Sequence, residues 1–162
     1  MDTIDDASTV IDLITSEYLR DLMRPNMNII HLLVEVMLSV LEVSDPKVHK
    51  KLACLSVPPF FCVSWLLTWF AHDVRSLMTA QVLFDYFLTS HPVAIIYAAA
   101  VVPVLFRKEL LQMNGSEAQI HQWLKELPKR ISPTSLVMET KRLMSEYPIA
   151  KIKISNRRLF ER

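Results

Sequence analysis

Residues 60–105 read FFCVSWLLTWFAHDVRSLMTAQVLFDYFLTSHPVAIIYAAAVVPVL. The large side chains recur at three- and four-residue steps, the spacing of a helix face, with none of the strict alternation of a half-buried strand. Phe61, Trp65, Leu66, Trp69 and Phe70 predict one heavy helix from about Phe60 to His72, opened by Pro58 and Pro59. Leu77, Ala80, Leu83, Phe84, Phe87 and Leu88 predict inward positions of a second, Val74 to Ser90. His91-Pro92 closes it, because the residue before a proline is pushed out of the α region. Val93 to about Met113 predicts a third helix, which Pro103 should kink or split for want of an amide hydrogen. Its small residues Ala94 and Ala98 to Ala100 allow a neighbouring helix to approach closely.

The same periodicity extends outward. Ser8 or Thr9 can cap a helix carrying Ile11, Ile14, Tyr18 and Leu22 and ending before Pro25. Asn26 or Asn28 can cap the next, Ile29 to about Val43, whose apolar residues cover most of its circumference and predict burial. Asp45-Pro46 is an N-cap and first-turn pair for a short helix with Val48 and Leu52 inward and Lys47, Lys50 and Lys51 outward. Asn114-Gly115 suggests a turn, and Ser116 with Gln119 forms a capping box for a helix carrying Ile120, Trp123 and Leu124, ended by Pro128. Ser132-Pro133 starts a last amphipathic helix with Leu136, Val137, Leu143 and Met144, fading near Tyr147-Pro148.

Composition bounds the chemistry. The 162 residues, 51% apolar and 22% charged, suffice for one domain with a sizeable core. The formal net charge of +1 supplies no global attraction to nucleic acid, and no nucleic-acid-binding signature accompanies it. The single glycine, Gly115, argues against self-contained phosphate-cradling loops, dinucleotide fingerprints and nucleophile elbows, which need several. With nine prolines and no strand-and-turn pattern, the expected class is all-α.

Cys54 and Cys62 both lie in apolar surroundings and are expected to be buried and inert. The first ten residues, MDTIDDASTV, are acidic and lack a signal-peptide pattern, so a cytosolic location is the expectation. The apolar runs Val57 to Ala71 and Val93 to Phe106 are each about fifteen residues, short of the roughly 18 to 20 that span hydrocarbon, and read as core helices.

Few polar groups suggest chemistry. His31, His49, His72, His91 and His121 are scattered without the paired spacing of a helical metal site, and neither metal nor cofactor is expected. His72-Asp73 with Arg75, beside Trp69, is the most plausible polar cluster for a partner surface, against a plainer reading as a local helix-capping network. Asp85, between Phe84 and Tyr86, must face solvent or take a basic partner, for which Arg75 and Arg107 are candidates. Residues 149–162 form a basic tail with Lys151, Lys153, Arg157, Arg158 and Arg162, suited to an anionic membrane surface or an acidic partner if it is more than a solvated end. Asn114-Gly115-Ser116 matches a glycosylation sequon but reads more simply as the turn.

The order Trp65-Leu-Leu-Thr-Trp69-Phe70-Ala-His72, then Leu83-Phe84-Asp85-Tyr86-Phe87-Leu88, then His91-Pro92 and Ile96-Tyr97-Ala98-Ala99-Ala100, resembles the TBC domain of Rab GTPase-activating proteins. Tyr18-Leu19-Arg20-Asp21-Leu22-Met23 also looks like the endoplasmic-reticulum-associated branch of that family. The likeness runs from about residue 9 to 113 and more weakly to 148, over the second half of the family's domain. It implies an all-helical, orthogonal multi-helix array: a flexible N-terminus at 1–8, a partial TBC domain (C-terminal lobe) at 9–148 and the basic tail beyond. It also implies a Rab-family small GTPase as partner, a role in vesicle traffic, and a location at the cytosolic face of the endoplasmic reticulum or Golgi membranes.

The family's chemistry resides in an Ile-x-x-Asp-x-x-Arg motif and a Tyr-x-Gln motif, whose arginine stabilises the charge spread over the transferring phosphoryl group and whose glutamine orients the attacking water. Neither motif occurs in these 162 residues. None of Tyr18, Tyr86, Tyr97 and Tyr147 is followed two positions later by Gln. Tyr18-Leu-Arg-Asp21-Leu-Met-Arg24 mimics the arginine motif with Tyr in place of Ile, but its surroundings match a segment downstream of the finger. The expectation is therefore a truncated or non-catalytic Rab-GAP domain without catalytic residues of its own. A small helical adaptor or membrane-associated scaffold without such activity is the competing reading.

Overall fold

The computed structural model describes residues 8–9, 11–12, 14–18, 28–54, 56–57 and 59–153, and among them all regular structure is helical. Near the N-terminus, positions 8, 9, 11 and 12 are helical and Ile14–Tyr18 forms a π-helical turn. The rest of the expected first helix, including Leu22 and the segment before Pro25, lies outside the described residues, as do Asn26, Pro58 and the tail arginines.

The long helix α1 (Asn28–Ser44) buries Ile30, Val34, Met37, Val40 and Leu41, as its nearly all-round apolar sequence requires. Asp45 then starts α2 (Pro46–Cys54), its carboxylate accepting the backbone N–H groups of Lys47 at 3.2 Å and Val48 at 3.1 Å. This satisfies two of the amides a helix start leaves unpaired. The other carboxylate oxygen receives Arg107 Nε at 2.7 Å, so one largely buried side chain both caps α2 and ties it to a later element. Cys54 is exposed, contrary to expectation, because it sits on the outer side of the last turn of α2. Cys62 is buried, and desolvation pushes its thiol far above the usual range, leaving it unreactive.

The aromatic stretch is shorter as a helix than its periodicity predicts. A 3₁₀ turn, Pro59–Cys62, leads into α3 (Val63–Thr68), which stops where Trp69 and Phe70 enter the left-handed region. Helix α4 spans Leu77–Leu88, not Val74 to Ser90, since Ser76 supplies the cap by accepting the Thr79 N–H at 3.1 Å. Asp85 faces solvent, and Arg107, one of its candidate partners, is taken by Asp45.

Helix α5 (Ala94–Leu105) starts two residues after Pro92 and contains Pro103 without breaking there. One missing amide is tolerated in the buried helix, and the division falls at Phe106 (φ −104°, ψ 23°), after which α6 runs Arg107–Gln112. Residues 113–116 are irregular, with no turn at Asn114-Gly115. Helix α7 (Glu117–Glu126) opens with the expected capping box between Ser116 and Gln119. Pro128 does not end the helical path but lies within a 3₁₀ turn, Leu127–Arg130, before α8 (Pro133–Glu146).

The core is organised around α5. From Ile96 to Pro103 every residue is buried, and the helix packs against α1, α3, α6, the Leu127–Arg130 turn and α8. Ala98, Ala99 and Ala100 are fully inaccessible on a helix that contacts both α1 and α8, and their small side chains leave room for close approach. Tyr97, buried beside them, donates its hydroxyl to the carbonyl of Tyr147 and fastens the end of α8 to α5. Replacing Ala99 by Leu would force extra carbon atoms into space already filled, and should lower unfolding stability by about 1–3 kcal/mol, read from urea denaturation. The matching control is Ala118→Leu at an exposed position of α7, which should change stability by less than about 0.5 kcal/mol.

Candidate functional site

The segment 69–76, between α3 and α4, is built on a backbone conformation that aromatic residues rarely adopt. Trp69 (φ 51°, ψ 42°) and Phe70 (φ 67°) are both left-handed, and both their N–H groups point back to the carbonyl of Trp65. Bulky residues there are under steric strain, of order 1–3 kcal/mol each, which surrounding contacts must overcome. Those contacts are aromatic. The Trp69 ring lies 5.3 Å from Phe84 and 6.0 Å from Phe87, while Phe70 stacks between Trp65 at 5.7 Å and Phe87 at 6.3 Å.

The clamp sets the polar residues in place. The chain turns twice more through Ala71 N–H to Thr68 O and Asp73 N–H to Phe70 O, both 2.9 Å. Asp73 is half-buried against α3, where its carboxylate accepts the Ser64 hydroxyl at 2.8 Å. Desolvation raises the Asp73 pKa above its ordinary value, opposed by the Ser64 hydrogen bond and by the charges of His72, Lys125 and Lys129. His72 and Arg75 are exposed. Of the four residues singled out from sequence, Trp69 is 5% accessible and acts as an internal anchor, Asp73 holds the turn, and His72 and Arg75 present polar groups outward.

Two further surface residues escaped sequence reasoning. Leu77 and Met78, in the first turn of α4, are 76% and 74% accessible, and Val82 one turn later is also exposed. Leu77 is in phase with Ala80 and Phe84, which predicts an inward position. The first turn of α4 runs past the edge of the core, so the phase no longer predicts burial. No signal in the local sequence marks that edge. The result is a surface on which exposed basic groups of the turn adjoin an aliphatic ridge, a composition suited to a protein partner. Among the described residues no group of three potential metal ligands comes together, and no helix is long and apolar enough to cross a membrane.

The Rab-GTPase-TBC domain family matches residues 5–111, and the chain belongs to that family. GTPase-activating protein gyp10 of Schizosaccharomyces pombe is 31% identical over 137 residues, covering 83% of this chain and 37% of the relative. TBC1 domain family member 20 of Homo sapiens is 26% identical over 146 residues, covering 90% of this chain and 36% of the relative. The chain thus spans little more than a third of the length of the curated relatives it matches.

Two outcomes test the construction of this turn. Trp69→Ala removes the ring but keeps a Cβ in the left-handed region, and should cost about 3–5 kcal/mol. Trp69→Gly should be the less damaging of the two by about 1 kcal/mol, the reverse of the usual order, because glycine carries no penalty there. Denaturant melts of both variants decide it. For Asp73, a folded pKa raised above 3.8 means that the native state binds more protons than the unfolded state at pH values just above 3.8. Stability contributed by this group is therefore present at acid pH and lost as pH rises through the folded value. Asp73→Asn should flatten that decline in urea melts taken across the acid range.

Proposed function

We propose that this chain is the scaffold lobe of a Rab GTPase-activating domain, engaging a Rab-family small GTPase in vesicle traffic without supplying the catalytic arginine or glutamine. The single observation that carries this reading is the family match over residues 5–111 in a sequence that contains neither Ile-x-x-Asp-x-x-Arg nor Tyr-x-Gln. An arginine finger contributes roughly 10³ to 10⁵ in rate, so its loss leaves binding without much acceleration. Likeness to TBC1 domain family member 20 supports a working place at the cytosolic face of the endoplasmic reticulum or Golgi.

The contact surface is the turn holding His72 and Arg75 together with Leu77, Met78 and Val82. The aliphatic ridge would supply the desolvated centre and the polar turn its rim, the usual anatomy of a protein–protein contact. Trp69 and Asp73 serve it indirectly by fixing the turn. Arg24, whose surroundings match a segment downstream of the finger motif, has no finger role in this reading.

A panel of Rab GTPases assayed for GTP turnover tests the catalytic half of the reading. The chain alone should stimulate hydrolysis less than about tenfold, and stimulation above that would overturn the reading, given the magnitude attributed to the finger. Calorimetric titration against the same panel tests the surface. Leu77→Asp with Arg75→Glu should weaken binding to the responsive Rab at least about tenfold with an unchanged thermal midpoint, as expected for loss of a central contact. Wild-type-like affinity would rule this surface out.

A further inference from the structure

Helices α2 and α6 lie side by side, joined at their starts by the Asp45–Arg107 ion pair of 2.7 Å. Toward their ends they are joined by Lys51 Nζ, which donates to the carbonyl of Met113 at 2.9 Å. The contact sets α2, which carries Lys47, Lys50 and Lys51, beside α6, which carries Lys108. Lys47, Lys50 and Lys108 are exposed, and Lys51 partly so. The neighbouring acids are already committed: Asp45 to Arg107, and Glu109 to Arg130 through contacts of 2.9 and 3.0 Å. Among the described residues no carboxylate, Glu42 of α1 included, forms an ion pair with any of the four lysines. A chain of nearly zero net charge therefore carries a locally unneutralised cationic face.

An open depression of about 430 Å³ lies at the start of α6, lined by Val104, Leu105, Phe106, Arg107, Lys108 and Glu109. Leu105 at its edge is exposed, as is Val43 just before the Asp45 junction. Exposed lysines on α2 and α6, with the exposed apolar side chains of Val43 and Leu105 just before the two helices, match the two ends of a phospholipid, an anionic headgroup above acyl chain. Lysine, a flexible point charge, suits a diffuse array of lipid anions, whereas selective recognition of protein carboxylates favours the rigid fork of arginine. We propose that the α2–α6 face is a docking surface for an anionic phospholipid membrane. It is independent of the basic tail and of the GTPase-binding reading.

Vesicle co-sedimentation of the whole chain tests this, with phosphatidylcholine alone and with about 30% phosphatidylserine, at about 50 mM and about 500 mM salt to span weak and strong screening. Binding is expected on the anionic vesicles only, and should fall steeply at the higher salt. The triple variant Lys47→Glu, Lys50→Glu, Lys108→Glu should lower the partition coefficient at least about tenfold, while Arg at the same three positions should preserve it. Lys151→Glu with Lys153→Glu should change it by less than about twofold, and the thermal midpoint of every variant should match the wild type, since all these side chains are exposed. Equal binding to neutral vesicles, an unaffected triple-Glu variant, or loss caused only by the tail variant would overturn the proposal. So would absent vesicle binding accompanied by tight binding to poly-glutamate, which would assign the face to an acidic protein partner.

Discussion

Burial of α5 on every side is the constraint from which the rest of the arrangement follows. A helix whose residues from Ile96 to Pro103 are all removed from water must be surrounded, and the surrounding helices must then supply apolar faces of matching shape. The alanines at 98–100 determine how close those neighbours come. With α1 and α8 both packed on α5, dispersion contacts accumulate there, and the Tyr97 hydroxyl reaches the Tyr147 carbonyl at the end of α8. Pro103 is compatible with this position because its neighbours along α5 remain packed and only one helical hydrogen bond is forgone.

The aromatic clamp has a different purpose. A six-residue α3 ends in two left-handed aromatics, a conformation glycine would accept more easily, yet the only glycine in the chain lies elsewhere, at position 115. Aromatic side chains at these positions convert strain into placement: their rings are held by Phe84 and Phe87, and the turn between α3 and α4 is drawn onto the core. His72 and Arg75 then stand at the surface in a defined position relative to Leu77 and Met78. A glycine pair could make the same turn but could not anchor it.

Scaffold and chemistry are separable in such a domain. Twelve of the residues quoted for the likeness, Trp65, Leu66, Trp69, Phe70, Leu83, Tyr86, Phe87 and Ile96 to Ala100, are buried, and packing explains them without a substrate. Stabilising charge at a transferring phosphoryl group takes preorganised polar donors, which buried apolar side chains do not supply. At the surface, the exposed Leu77–Met78 ridge and the exposed lysines of α2 and α6 are features that packing does not account for.

By itself, the sequence determined the helical class, the main apolar faces, the Asp45-Pro46 and Ser116–Gln119 caps and the family, because each depends on spacing within a few residues or on an ordered pattern along the chain. Helix ends at Thr68 and Phe106, the burial of Trp69 and the exposure of Leu77 and Cys54 depended on contacts between segments far apart in sequence. The same is true of the choice of Arg107 as partner of Asp45, 62 residues away, and of the side-by-side placing of α2 and α6. Periodicity reports which side of a helix is apolar. Only tertiary packing decides how far along that side the core extends, because burial is a property of the neighbours that cover a residue as much as of the residue itself.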